Sequence, residues 1–148
     1  MDISRVQRGE RIALYGGILL AISVFLKWYD VTNGAGGLAE GSYSAWDYHH
    51  TLRFLLIAAA TAPIILAWIV ATDASLSWQR GEVTMVVAIA AFGLVGYNGV
   101  VDQPTDSSSF VSLQYGWYLA ILATILMMVG SIMRQNESGR RRKPPGTI

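Results

Sequence analysis

"YSAWDYHHTLRFLLIAAA" occupies residues 43–60. It opens with an acid, two histidines and an arginine among aromatic rings, and then turns into membrane-grade hydrocarbon. Ser44-Ala45-Trp46-Asp47 has the form of a capping box, in which the Ser44 hydroxyl accepts from the Asp47 amide and the Asp47 carboxylate reaches back to the Ser44 amide. An acid in the first turn also suits the positive end of the helix dipole. The pattern predicts a helix that begins at Ala45, ahead of its apolar run, and continues to about residue 71. A helix over 45–71 is roughly 40 Å long at ~1.5 Å per residue, more than the ~30 Å of a bilayer's hydrocarbon core. Its first turns therefore stand in or above the headgroups.

On such a helix Asp47 lies beside His50 and Thr51, and His49 beside Arg53, because surface neighbours are three or four residues apart. Adjacent His49 and His50 point about 100° apart and are poorly placed to share one metal ion. Asp47, His49, His50 and Arg53 are accordingly read as an interfacial polar patch, with pH sensing by His50 near Asp47 as an alternative. Arg53, close to the lipid boundary, is expected to pair with Asp30, Asp47 or Asp102 across an outer cap.

The rest of the chain supports a bilayer as solvent. Of its 148 residues 53% are apolar and 14% charged, too little charge to wet the surface of a soluble domain of this size. Four stretches approach the roughly 20 apolar residues that a spanning helix requires, over about 12–29, 45–71, 83–101 and 115–133. The alternation of a membrane barrel strand is absent. The expected fold is an all-α transmembrane four-helix bundle over 1–133, followed by a flexible basic tail over 134–148. The basic, apolar N-terminus is read as a retained signal-anchor helix, because no convincing small-residue cleavage site follows it.

Charge sets the expected orientation. Arg5, Arg8, Arg11, Arg80, Arg134, Arg140, Arg141, Arg142 and Lys143 fall on one side of the spans, and only Lys27 and Arg53 on the other. The positive-inside rule then puts both termini and the 72–82 loop of this multi-pass chain in the cytoplasm. Arg140, Arg141, Arg142 and Lys143 are expected to meet anionic lipid. Nine of the twelve Trp and Tyr map to the opposite, outer interface: Trp28, Tyr29, Tyr43, Trp46, Tyr48, Tyr97, Tyr115, Trp117 and Tyr118. A headgroup belt accounts for such rings. A folded, aromatic-rich extracytoplasmic cap does so as well, with Trp28, Tyr29, Trp46, Trp117 and Tyr118 as a candidate contact surface and Trp28, Trp46 and Trp117 at least partly buried.

Within this frame "DVTNGAGGLAEG", residues 30–41, has the glycines and the Asn-Gly step of a turn that could close a short hairpin. Gly93, Gly96 and Gly99 allow a close helix contact, Asn98 is expected to bond to a neighbouring helix, and Pro63 to kink the second span. The chain has no cysteine, which excludes disulfides, thiol chemistry and thiolate metal sites. No catalytic constellation, cofactor motif or metal-ligand set is present, and nothing points to nucleic acid.

"SVFLKWYDV" at 23–31, "YSAWD" at 43–47 and "GYNGVVDQP" at 96–104 together resemble a group of small four-span actinobacterial membrane proteins. That group shares a Ser-aliphatic-Phe-Leu-x-Trp-Tyr end to the first helix, a Ser-Ala-Trp-acid start to the second and an Asp-x-Pro exit from the third. The resemblance implies the fold and a bacterial inner-membrane location, and no activity. The functional expectation is a non-enzymatic accessory, scaffold or assembly component with a membrane-protein partner or a second copy of itself. Two alternatives stay open: an oligomeric channel or small transporter lined by Asn98, Thr61 and Thr124, and a membrane enzyme or metal-dependent protein using the Asp47/His49/His50/Arg53 patch.

Overall fold

The structure, a computed structural model, describes residues 7–32, 39–72, 81–104 and 110–140. In chain order its elements are α1 (Arg8–Ser23), β1 (Lys27–Thr32), β2 (Gly41–Ser44), α2 (Ala45–Tyr48), α3 (Leu52–Ala71), α4 (Glu82–Val100), β3 (Phe110–Leu113) and α5 (Tyr115–Arg140). α1 packs on α5 and α3, and α4 packs on α5 and α3. Stretches of α3, α4 and α5, namely Leu52–Ala71, Glu82–Val100 and Tyr115–Glu137, are long and apolar enough to cross a membrane.

Side chains are distributed inside out relative to a water-soluble protein. Tyr15, Ile18, Ile22, Phe54, Ile65, Trp68, Val86, Ile89, Leu122, Ile125 and Val129 face outward along the four long helices, whereas the seams between them are built from Gly9, Ala13, Gly16, Ala59, Ala60, Ala88, Ala91, Ala120 and Ala123. Small residues on the seams let backbones approach, the usual basis of helix association when the surroundings are as apolar as the side chains. α1 and α5 approach backbone to backbone: a Cβ added to Gly130 would lie 2.5 Å from the Ala13 nitrogen and 2.6 Å from the Gly9 carbonyl oxygen. At the end of this seam remote from the sheet, Arg134 pairs with Glu10 at 3.1 Å, both side chains buried. The Glu10 carboxylate also accepts from the Gln7 amide at 2.9 Å, closing a capping box at the start of α1.

The all-α expectation needs correction, because a three-stranded antiparallel sheet in the order β2-β1-β3 forms at one end of the helices. The hairpin expected over 30–41 is present as the β1–β2 pair, while its turn, 33–38, lies outside the described residues. β3, which the expected fold lacks, completes the sheet on the other edge of β1. The helix expected over 12–29 stops at Ser23. Turn hydrogen bonds from Phe25 to Ile22 and Leu26 to Ser23 tighten its last turn, and the Trp28 indole donates to the Ser23 carbonyl at 2.8 Å. A bulge follows, with Lys27 opposite Ser44 and Tyr29 opposite Tyr43. The extra residue is Trp28. Two consecutive rings, Trp28 and Tyr29, can therefore both turn inward where regular pleating would send them to opposite faces.

Two further boundaries, and one expected contact, differ from expectation. The second helix is interrupted: α2 ends at Tyr48, His49 is extended (φ −96°, ψ 94°), and α3 begins at Leu52. α5 continues to Arg140, so part of the segment read as a flexible tail is helical; 141–148 lie outside the described residues and with them Arg141, Arg142 and Lys143. Gly93 and Gly96 border open space, and of that trio only Gly99 is in close contact, against the Trp117 indole. Pro63 lies buried within α3, its ring packed on Gly17 of α1.

Candidate functional site at the sheet end

The capping box is formed as the residue pattern requires. The Asp47 amide donates to Ser44 Oγ at 3.2 Å, and Asp47 Oδ2 accepts from the Ser44 amide at 3.3 Å and from Ser44 Oγ at 2.7 Å. Asp47 is thus engaged in starting α2. The one-turn helix then breaks, and the polar residues after it separate instead of sharing a stripe.

His49 turns inward and is buried among the rings of Trp28, Tyr29 and Tyr48, with centroids 6.3, 5.7 and 4.6 Å away. His50 remains exposed. Arg53 places its guanidinium 4.8 Å from the centroids of both Trp46 and Phe54 and donates to the Trp46 carbonyl at 3.1 Å. Among the described residues no carboxylate lies within ion-pair reach of it, so the pairing expected with Asp30, Asp47 or Asp102 is not made. Two π-faces and a carbonyl take the place of a counter-charge. Asp30 instead accepts from Ser42 Oγ at 3.1 Å across the sheet.

Tyr29 holds this end together. Its hydroxyl lies 2.7 Å from the Asn98 carbonyl and 2.9 Å from His49 Nε2. A carbonyl can only accept, so the single phenolic proton goes to Asn98, and His49 must donate its Nε2–H to the phenolic oxygen. That fixes the imidazole tautomer and leaves Nδ1 with a lone pair. Asn98 needs the bond because the helix ends irregularly: the amides of Val101 and Asp102 both donate to the Tyr97 carbonyl. Tyr29, from β1, thereby caps the C-terminus of α4. The Asn98 side chain donates to the Leu94 carbonyl of its own helix at 2.8 Å, so the bond between elements runs through the main chain rather than through the expected side chain.

Burial raises the Tyr29 phenol well above its ordinary value, with Tyr48 and Asp102 adding to the effect. Tyr48 is raised for the same reasons, burial first and Asp102 second. His49 is lowered by burial, against an opposing pull from Asp102. The imidazole is therefore held neutral, consistent with its position between aromatic faces.

Of the candidate aromatic surface, Trp28 and Tyr29 are wholly buried and unavailable for contact. Trp46 is half-buried, stacked on Phe25 at 5.0 Å. Trp117 is half-buried too, its indole donating to the Val95 carbonyl at 2.9 Å. Tyr118 is exposed. Trp28, Tyr29, Trp46 and Trp117 thus pack into the sheet end of the molecule, while Tyr97, Tyr115 and Tyr118 stay exposed.

Beside this cluster a cleft of about 470 Å³ opens between the α2–α3 break and the end of α4, lined by Tyr48, His49, His50, Thr51, Leu52, Leu55, Leu94, Asn98 and Asp102. The sequence reading placed Asp102 and Asn98 at this end but did not join them to His49, since only the break in the helix turns His49 toward them. Among the described residues no three His, Asp or Glu side chains are grouped to hold a metal ion. No family model, curated protein or solved structure matches the chain.

Proposed function

We propose that this chain is a four-span integral protein of a bacterial plasma membrane, with both termini cytoplasmic, that acts without catalysis as an accessory or assembly component of a membrane complex. The observation that carries this reading is the way polar groups are arranged along the helices. Thr61 donates to the Ala58 carbonyl, Thr124 to Ile121, Ser131 to Met127 and Asn98 to Leu94, each within its own helix. Thr61 faces outward while Thr124 is buried, so the residues that would line a shared conduit do not face one. A transport path normally presents ionisable or polar groups to a common cavity, and a catalytic site brings its acid and base together. Asp47, His49, His50 and Arg53 go four separate ways.

The outward stripe Tyr15, Ile18, Ile22 on α1 matches those of the three longer helices and supports α1 as the fourth span. Its 16 residues reach ~24 Å, and the turn that follows carries exposed Phe25 toward the interface. Apolar faces of this extent, unbroken by charge, are at home in lipid or against partner helices. The exposed rings Tyr97 and Tyr118 at the sheet end offer the cap to a partner.

Three experiments test the reading. Because the chain has no cysteine, single cysteines at Ser42 and Ser138 report topology directly: Ser42→Cys is expected to react with an impermeant maleimide in intact cells and Ser138→Cys only after permeabilisation. A photo-crosslinking residue at Tyr97 or Tyr118 is expected to give one discrete protein adduct that is absent from controls at Ile125 and Val129. Ion flux through vesicles reconstituted with the purified chain would overturn the accessory role in favour of a channel.

A further inference from the structure

The cleft at the sheet end does not stand alone. Along the α3–α4 seam lies a second hollow of about 260 Å³, lined by Leu55, Ala58, Ala59, Val87, Ala90, Ala91 and Leu94. Leu55 and Leu94 line both hollows, so one groove descends from a polar mouth into a wholly aliphatic channel between two helices. Val87 is eleven residues from Asn98 on α4, or ~16 Å at ~1.5 Å per residue. Half of a bilayer's hydrocarbon core is ~15 Å. Mouth and aliphatic part together thus have the depth of one leaflet, the aliphatic part from Val87 to Leu94 taking ~10 Å of it.

The mouth has a definite chemical sign. Asp102 supplies a carboxylate, His49 retains a lone pair on Nδ1 once Nε2–H is given to Tyr29, and Asn98 retains Oδ1 once its amide N–H is given to Leu94. Three acceptors thus belong to one cleft, beside the hydroxyls of Tyr48 and Thr51 and the imidazole of His50. Among the described residues no lysine or arginine lines it, Arg53 being held over Trp46 and Phe54. The complement of three acceptors, one of them anionic, is a primary ammonium with three N–H donors. A quaternary choline offers the charge without donors, and a glycerol headgroup offers donors without the charge.

We propose that the α3–α4 groove is a binding site for one membrane lipid with a primary-amine headgroup, phosphatidylethanolamine in chemical class, its ammonium on Asp102, His49 and Asn98 and an acyl chain along Leu55, Ala58, Ala90 and Leu94. This goes beyond the accessory role and rests on the transmembrane placement proposed with it. A lipid in this position covers the seam where α3 meets α4 and joins the cap to the leaflet beside it.

The test is made on the full chain in nanodiscs of phosphatidylethanolamine, phosphatidylcholine and phosphatidylglycerol with matched acyl chains, extracted gently and weighed by native mass spectrometry. The wild-type chain is expected to retain one phosphatidylethanolamine with a preference of about tenfold over the other two, the factor that a charge-assisted hydrogen bond provides. Asp102→Asn should reduce the headgroup preference severalfold while an acyl lipid is still retained. Ala90→Phe and Ala58→Phe, at exposed positions that reach into the groove from opposite helices, should each abolish retention of all three lipids. Having both variants keeps the test open if one fails to fold. Equal retention of the three headgroups by the wild type, or undiminished retention by a folded groove-filled variant, overturns the proposal. Failure of the chain to enter nanodiscs at all would instead refute the transmembrane placement.

Discussion

Tyr29→Phe is the most informative single substitution at the sheet end, because it deletes one oxygen atom and keeps the ring. The Tyr29 hydroxyl gives its proton to the Asn98 carbonyl at 2.7 Å and receives His49 Nε2–H at 2.9 Å. Removing it leaves a buried helix-terminal acceptor and a buried imidazole donor without partners. Each buried group left unsatisfied costs about 1–3 kcal/mol. Phenylalanine preserves the edge contacts with Trp28 and Tyr48, so packing contributes little to the difference. The expected loss is therefore about 2–4 kcal/mol, a large fraction of the 5–15 kcal/mol typical of a folded domain. Unfolding of the full chain in mixed micelles of rising SDS fraction, followed by near-ultraviolet circular dichroism of the tryptophans, measures it. Hydrogen exchange should also quicken at Val101 and Asp102 as the end of α4 frays. Tyr43→Phe is the control, since its exposed hydroxyl donates to the Ala39 carbonyl, and an exposed bond of this kind is worth about 1 kcal/mol or less. If Tyr29→Phe costs no more than Tyr43→Phe, the cap does not depend on this phenol and the tautomer assigned to His49 loses its basis.

Other outcomes follow from the remaining contacts. Arg134→Met strands the buried Glu10 carboxylate and should destabilise by about 3–5 kcal/mol, whereas Glu10→Gln combined with Arg134→Met should recover most of that loss in the same SDS titration. Ser44→Ala removes the cap of α2 and is expected to cost about 1 kcal/mol by thermal unfolding in mild detergent; no measurable change would mean that the sheet alone positions Trp46. His49, with its pKa lowered by burial, contributes stability that is complete above the ordinary value of 6.5 and declines as pH falls from there toward the lowered value, because the unfolded chain takes up its proton first. Asp102 opposes the shift but does not reverse it. His49→Phe should flatten the stability profile across that window, and an unchanged slope would assign the acid sensitivity to another group.

Much of the architecture is local and was legible in the residues themselves. Long apolar runs give α4 within a residue of its expected 83–101, and fix the end of α3 and the start of α5, because a helix in hydrocarbon satisfies its backbone within a single segment. The capping box at Ser44 and Asp47 is likewise a contract between residues three apart, and it formed as read. The hairpin expected over 30–41 is present as the antiparallel β1–β2 pair. What the chain could not disclose locally is where these signals lose to contacts made from a distance. A helix over 45–71 satisfies every local rule, yet it breaks at His49, since burying that imidazole among Trp28, Tyr29 and Tyr48 and against the Tyr29 hydroxyl requires a turn inward. The first helix ends at Ser23 rather than near Tyr29, because β1 finds partners on both edges, one of them β3, some eighty residues further along the chain. Arg53 meets rings in place of acids, and Arg134, in the segment expected to be a tail, meets Glu10 across the α1–α5 seam. Sequence determined which segments are greasy enough to leave water and how their helices start. Tertiary structure alone decided which polar groups face one another, because a hydrogen bond or ion pair depends on the last few ångströms between elements that no periodicity encodes.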